Sequence, residues 1–299
     1  MAMLKLKLAA LSAPLLLATL CLGSIDDAKI PTVEISPGVF MPYVSLGHPD
    51  DGNVTEKQSL ELWLSLGGVG VDTAYDYMNQ NLVGAAIKAS GRARDSIFVT
   101  TKIPNPVGRE KALAFVKEDL KEMSLDYADL ILIHSPCTRG FPGSPSCTGR
   151  DASKILDTWR GLEDALAANL TRAIGVSNFV ESDLNAILNA NPKPKTIPAV
   201  NQCSMSVGNH DDATRAFCKA HSITYEAYSP LRHVNFTDGR IVKIASSHSV
   251  SAAQVALRWV TQSGSPLATS PDIKSYDVED LAIFDFSLTD DEMSTLSAI

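Results

Sequence analysis

Short apolar runs alternate with longer amphipathic segments along most of this chain. In the amphipathic segments the apolar residues recur at helical spacing, as they do at Ile155, Trp159, Leu162 and Leu166. Eight of the runs are predicted β-strands: Tyr43–Leu46, Val69–Val71, Ile97–Thr101, Ala128–Ile133, Arg172–Val176, Ile197–Asn201, Thr224–Tyr228 and Pro266–Thr269. Eight alternating strands and helices predict a closed (β/α)8 barrel of the α/β class rather than an open sheet.

A hairpin is predicted before the first barrel strand. Val33-Glu34-Ile35 and Val39-Phe40-Met41 flank the turn sequence Ser36-Pro37-Gly38. We expect this N-terminal β-hairpin to close the bottom of the barrel. Two long connections, residues 134–154 and 229–240, leave the opposite face and are candidate walls of a substrate pocket.

The first 23 residues differ from the rest. Lys5 and Lys7 precede an apolar run over residues 8–22, which ends in small residues near Gly23. This pattern is typical of a secretory signal peptide, and the run is short for a membrane span. We therefore predict a signal peptide over residues 1–23, a barrel over residues 24–299, and a secretory-pathway or extracellular location without a stable membrane partner. An uncleaved membrane anchor is the alternative.

If the chain enters the secretory pathway, its sequons and cysteines predict glycosylation and disulfide formation. Three sequons predict a glycoprotein: Asn53-Val54-Thr55, Asn169-Leu170-Thr171 and Asn235-Phe236-Thr237. Cys137 and Cys147 flank a loop rich in glycine, proline and serine, and we predict that they form a disulfide. Cys203 and Cys218 are either a second pair or buried free thiols.

Composition excludes some classes of partner. The chain has 299 residues, is 45% hydrophobic and carries a net charge of −8. It is long enough for one barrel, and it contains no run of lysines or arginines that would favour nucleic acid or an anionic membrane surface. We expect a monomer that acts on a small molecule and uses no metal.

Ionisable side chains stand at the ends of three predicted strands. Asp72 ends one strand, and Tyr75 and Tyr77 follow within five residues. Lys102 and His134 directly follow two later strands. Because the carboxyl ends of parallel barrel strands open on one face, these groups are expected to form a proton-transfer site there.

These segments, in this order, resemble the aldo-keto reductase family from about Pro31 onward. The resemblance is specific because it rests on a set of motifs rather than on one. The matching segments are Asp72-Thr73-Ala74-Tyr75-Asp76-Tyr77-Met78-Asn79, Val99–Lys102, Asp129–Pro136, Arg172–Phe179, Asn201-Gln202, Tyr228–Leu231 and Phe284–Thr289.

The resemblance implies an oxidoreductase that reduces an aldehyde or ketone to an alcohol with NADP(H) or NAD(H). It identifies Tyr77 as the proton donor, and not Tyr75, because the family tyrosine lies five residues after the aspartate. A free phenol is a weak acid at neutral pH, and the ammonium of Lys102, held by Asp72, would favour its ionised form. His134 would donate a hydrogen bond to the substrate carbonyl.

The resemblance also implies where the cofactor binds. Ser177, Asn178 and Gln202 would hold the nicotinamide carboxamide, and Tyr228 would stack on its ring. The other implied cofactor contacts are Ser229, Leu231 and Glu279.

The chain departs from the family pattern at the phosphate-binding segment. The lysine and arginine that hold the 2′-phosphate of NADP align with Ser270 and Tyr276. A phosphate favours a planar charged fork that tyrosine does not supply, so the preference for NADP is expected to be reduced unless Lys274 takes over. After the first strand, His48 and Pro49 replace the family's threonine and aromatic residue.

A second hypothesis belongs to another functional class. In it the barrel binds a nucleotide or a protein partner in the secretory pathway without useful turnover. The weakened phosphate clamp and an oxidising compartment favour this alternative, whereas the four intact catalytic positions favour the enzyme.

Overall fold

The structure is a computed structural model that describes residues 30–48, 56–140, 147–271 and 274–299. The predicted signal peptide, Pro49, the first sequon at Asn53 and the middle of the cysteine-flanked loop lie outside these residues. Within the described part, no helix is long and apolar enough to cross a membrane.

The predicted N-terminal hairpin is confirmed. Strands β1 (Thr32–Ser36) and β2 (Val39–Pro42) pair antiparallel. Gly38 sits in the turn between them with a φ of 74°, a conformation that favours glycine. The apolar side of the hairpin joins one buried cluster with residues of the barrel strands, so the hairpin closes one end of the barrel. The hairpin residues are Ile35, Val39 and Met41, and the strand residues are Phe98, Leu130, Leu132 and Val200.

The predicted barrel is confirmed as well. Eight parallel strands close into a ring in the order β10-β3-β4-β5-β6-β7-β8-β9. Their bounds are β3 Val44–Leu46, β4 Gly70–Asp72, β5 Phe98–Ile103, β6 Ala128–Ile133, β7 Thr171–Ser177, β8 Val200–Ser204, β9 Thr224–Tyr228 and β10 Leu267–Thr269.

The boundary predicted for the sixth barrel strand was wrong. Residues Ile197–Asn201 were expected, but β8 spans Val200–Ser204. Ile197 is 45% exposed, and Pro198 has no backbone N–H with which to join the ladder. The first ladder bond comes from the Ala199 N–H to the Ile174 carbonyl. As a result Gln202 lies inside the strand.

The described residues also form ten α-helices. Their bounds are α1 Glu56–Ser65, α2 Gln80–Ala89, α3 Arg109–Met123, α4 Ala152–Ala167, α5 Glu181–Leu188, α6 Asp212–Ala220, α7 Gly239–His248, α8 Ala252–Gln262, α9 Lys274–Leu281 and α10 Asp290–Leu296. The helix predicted from the spacing of Ile155, Trp159 and Leu162 is α4, and all three side chains are buried. Asp151 caps its first turn by accepting hydrogen bonds from two backbone N–H groups.

Three buried tryptophans fix helices against their neighbours. Trp63, Trp159 and Trp259 are at most 1% exposed. Each indole N–H has a hydrogen-bond acceptor, namely the Gly70 carbonyl, the Thr196 carbonyl and the Ser297 hydroxyl. Burying these large rings without leaving a donor unpaired stabilises the helical layer around the barrel.

Candidate active site

A cavity of about 450 Å³ opens at the carboxyl ends of the barrel strands. This volume is typical of small-molecule sites. Asp72, Tyr77 and His134 line it, and Lys102 lies behind them with only 1% of its surface exposed. The other residues that line it are Gly47, His48, Ser177, Asn178, Gln202, Tyr228, Ser229, Pro230, Leu231, Arg232, Ala268, Thr269 and Ser270.

The two candidate tyrosines lie in different environments in the structure. Both belong to one turn of 3₁₀-helix, Tyr75–Tyr77, which directly follows β4. The ring of Tyr77 faces the cavity, where it stacks on His48 and meets His134 edge-on, with ring centres 4.7 and 5.6 Å away. Tyr75 points elsewhere and packs edge-on against Phe115 of α3.

Lys102 and Asp72 form a buried ion pair beside Tyr77. The Nζ of Lys102 donates to Asp72 Oδ1 and, at 3.0 Å, to the Thr73 carbonyl. Burial, the largest single effect, opposes the charge on this lysine, but the charge and hydrogen bond of Asp72 together with Tyr77 and Glu226 raise the pKa of Lys102 above its ordinary value. A permanently charged ammonium therefore lies 5.3 Å from the centre of the Tyr77 ring.

His134 is buried at the end of β6. Burial lowers the pKa of its imidazole, so the ring is neutral at pH 7. Its Nδ1 lies 3.3 Å from Asp76 Oδ2, and a carboxylate at that position favours the tautomer with the proton on Nδ1. The sequence suggested that His134 donates to a substrate carbonyl, and donation from Nε2 therefore needs the other tautomer or the charged ring.

The groups expected to hold a nicotinamide ring lie together on one wall. Asn178, with a φ of 64°, donates from Nδ2 to the His134 carbonyl and accepts at 2.8 Å from the Tyr228 hydroxyl. Ser177 donates to the Gln202 carbonyl, also at 2.8 Å. Burial raises the pKa of Tyr228 to about 12, so its hydroxyl remains a donor at physiological pH. Amide and hydroxyl groups beside an aromatic ring suit a carboxamide and its flat heterocycle.

The residues that align with the family's phosphate-binding lysine and arginine supply no positive charge for a 2′-phosphate. The Ser270 hydroxyl is already engaged, since it donates to the His48 carbonyl at 2.9 Å. Tyr276 is 48% exposed, and nearby in α9 the carboxyls of Asp277 and Asp280 are buried. Burial raises their pKa values to about 6 and about 7. Neither Lys274 nor Glu279 lines the cavity, whereas Arg232 does.

Sequence reasoning missed two acidic residues close to the site. Glu56 of α1 lies 2.7 Å from Nδ1 of His48 and also accepts from Asn79, which fixes the imidazole over Tyr77. Glu226 lies inside the barrel in β9 and is fully buried. An acidic residue in the middle of an otherwise uncharged strand was the signal in the sequence that could have drawn attention to Glu226.

The comparisons with known proteins agree with this geometry. The model of the "Aldo/keto reductase family" matches residues 53–299. A "Glyoxal reductase" from Bacillus subtilis is 36% identical over 274 residues, which cover 90% of this chain and 92% of that protein. A "9,11-endoperoxide prostaglandin H2 reductase" from Trypanosoma cruzi is 33% identical, with coverage of 89% and 90%.

Solved structures give the same result. A crystal structure of an aldo/keto reductase from Brucella melitensis superposes with a TM-score of 0.81 at 30% identity, covering 90% of this chain and 99% of that one. A Bombyx mori aldo-keto reductase in complex with NADP gives 0.80 at 27% identity, with coverage of 90% and 92%. The chain belongs to the aldo/keto reductase family and is an NAD(P)H-dependent oxidoreductase.

Proposed function

We propose that this protein reduces small aldehydes or ketones to alcohols with Tyr77 as the proton donor. The observation that carries the proposal is the position of the Tyr77 ring, which faces the cavity 5.3 Å from the Nζ of Lys102. A positive charge at that distance favours the phenolate, so the phenol gives up its proton more readily to a developing alkoxide. When bound, the nicotinamide supplies the hydride.

The remaining groups hold Lys102 beside Tyr77 and bind the substrate carbonyl. Asp72 keeps Lys102 charged and in place through the buried ion pair. The second oxygen of Asp72 accepts from Gln202 Nε2 at 2.7 Å, so the carboxylate cannot turn away. His134 packs edge-on against Tyr77 and can bind the carbonyl oxygen when its Nε2 carries a proton.

The cavity favours small substrates. Only the nicotinamide end of the cofactor would enter this cavity of about 450 Å³, and a small carbonyl compound would bind beside it next to Tyr77. The similarity to a glyoxal reductase supports a small aldehyde. The test is loss of NADPH or NADH absorbance with a panel of short aldehydes. Tight cofactor binding without turnover of any of them would favour the nucleotide-binding alternative, which the comparisons do not support.

We further propose that the protein enters the secretory pathway, loses residues 1–23 and becomes glycosylated. Asn169 and Asn235, the acceptors of the two described sequons, are exposed. The mature chain is proposed to be a monomer without a stable membrane partner. Edman sequencing of secreted protein should begin near residue 24, and digestion with a glycosidase should reduce its mass. An intact N-terminus would contradict signal cleavage.

The proposed disulfide would hold the connection that begins at His134, the one described residue of that connection that lines the cavity. The Cα atoms of Cys137 and Cys147 lie 5.4 Å apart, a separation that supports the proposed disulfide, whereas Cys203 and Cys218 are free and buried. The Cys137 carbonyl accepts from Asn105 at 2.9 Å, which links the bridge to the end of β5. The bridge therefore ties together the connection that begins at His134.

Cys137→Ser is expected to lower the free energy of unfolding by about 3 kcal/mol in oxidising buffer, because it opens a short loop in the unfolded chain. Denaturant unfolding measures this difference. In reducing buffer, wild type and variant should have nearly equal stability, which serves as the control. Peptide mapping of the secreted protein that finds both thiols free would refute the disulfide.

A further inference from the structure

Glu226 is a buried acid for which the mechanism above has no use. Its side chain lies inside the barrel below the cavity and is 0% exposed. One carboxyl oxygen, Oε2, accepts from Gln202 Nε2 at 2.9 Å, and Oε1 has no hydrogen-bond partner in the described part of the chain. A buried carboxyl with an unsatisfied oxygen is costly, so a role in tuning its neighbours is worth testing.

Glu226 is connected to Tyr77 through an unbroken series of contacts. The amide nitrogen of Gln202 that binds Glu226 also donates to Asp72 Oδ2 at 2.7 Å. The other oxygen of Asp72 receives the Lys102 ammonium, which lies 5.3 Å from the centre of the Tyr77 ring. Two acids therefore share one amide group directly behind the proposed proton donor.

Burial and the negative charge of Asp72 favour the neutral form of Glu226, whereas Lys102 and the hydrogen bond from Gln202 oppose them. Asp72 from β4 and Lys102 from β5 act on it across the barrel interior. Of its two neighbours in the sheet, β8 contributes the uncharged Gln202, and β10 has no titratable side chain. Burial, followed by the negative charge of Asp72, raises the pKa of Glu226 to about 8. Among Glu226 and these neighbours, the charged side chains at neutral pH are therefore Asp72 and Lys102, which form the ion pair.

We propose that Glu226 is a positioning residue that links the acid strength of Tyr77 to the charge state of the barrel interior. As a neutral acid it leaves the Lys102 ammonium balanced by Asp72 alone. When it ionises, a second negative charge offsets the ammonium, the phenolate of Tyr77 is less favoured, and proton donation slows. The inference rests on the proposed role of Tyr77.

Glu226→Gln tests the inference. The variant keeps the shape and an oxygen that accepts from Gln202, but it cannot ionise. We expect kcat for aldehyde reduction to match that of wild type at pH 6.5. At pH 9.5 the kcat of the variant should exceed that of wild type by about fivefold, because the variant lacks the negative charge of ionised Glu226. The effect is limited because the proton is only partly transferred in the transition state. Glu226→Asp, which keeps an ionisable group, is the matched control and should retain the wild-type decline.

Infrared titration of the cofactor-free protein supplies a readout that does not depend on turnover. Wild type should show the carbonyl band of a protonated buried carboxyl at pH 7, and that band should be lost near pH 8 and be absent from Glu226→Gln.

Superimposable pH profiles of kcat, or an ionised Glu226 at pH 7 in wild type, would overturn the inference. Full activity of Tyr77→Phe would instead overturn the proposed function, so the two failures can be told apart. Should Glu226→Gln not fold, the infrared titration and the pH profile of kcat are compared between wild type and Glu226→Asp, and identical carboxyl titrations in the two would overturn the inference.

Discussion

Tyr77→Phe is expected to lower kcat for aldehyde reduction by about 10²–10⁴-fold, the usual contribution of general acid catalysis. The substitution removes only the hydroxyl that would give its proton to the alkoxide. The phenyl ring can still stack on His48 and meet His134 edge-on, so the cavity should keep its shape. Steady-state kinetics with a short aldehyde and fluorescence titration with NADPH should therefore show lost turnover with nearly unchanged cofactor binding.

Tyr75→Phe is the matched control for this substitution. Tyr75 lies two residues away in the same turn, but it packs on Phe115 and does not line the cavity. Its hydroxyl is therefore expected to be dispensable for turnover. If Tyr77→Phe kept most of its activity, the proton would come from another group, and the proposed mechanism would be wrong.

NADPH and NADH are expected to bind with affinities within about tenfold of each other, because the two cations that would recognise the 2′-phosphate are missing. Ser270 and Tyr276 stand in their places, and the Ser270 hydroxyl already donates to His48. Each charge-assisted contact is worth about 1.5–3 kcal/mol. Ser270→Lys combined with Tyr276→Arg should therefore tighten NADPH by on the order of a hundredfold, since about 1.4 kcal/mol is tenfold. NADH should change little.

Fluorescence titration of both cofactors against wild type and the double variant measures this effect. Wild type binding NADPH a hundred times more tightly than NADH would contradict the expectation. In that case another cation would hold the phosphate, and two single variants would identify it. Arg232→Gln removes the guanidinium that lines the cavity, and Lys274→Gln removes the exposed ammonium at the start of α9.

The barrel could be predicted from the sequence because the apolar runs along the chain coincide with the buried strands. The bounds of Ala128–Ile133 and Thr224–Tyr228 were predicted without error. All six side chains of the first are buried, which fits its apolar run Leu130–Ile133, and its one charged residue, Asp129, is paired with Arg94. Ile197 was misplaced because a β-branched residue before a proline looks like a strand, although it lies in an exposed connection.

Less of the site could be predicted from the sequence, because the missed contacts join distant parts of the chain. Gln202 and Asp72 are 130 positions apart, yet they share a buried hydrogen bond. No spacing rule predicts that Glu226 meets the same amide, or that Glu56 holds His48 over Tyr77. These pairings depend on the register of β8 against β9 and on how α1 packs, which only the folded chain defines.

Transfer of deuterium from the cofactor to the product is the most direct test of carbonyl reduction by this site. Purified wild-type protein would be incubated with a short aldehyde and with NADPH or NADH labelled with deuterium at the reactive carbon of the nicotinamide. Mass spectrometry should find one deuterium per alcohol molecule, at the former carbonyl carbon, for at least one aldehyde. Alcohol formed without the label, or cofactor bound tightly with no alcohol formed from any aldehyde or ketone tested, would contradict the account.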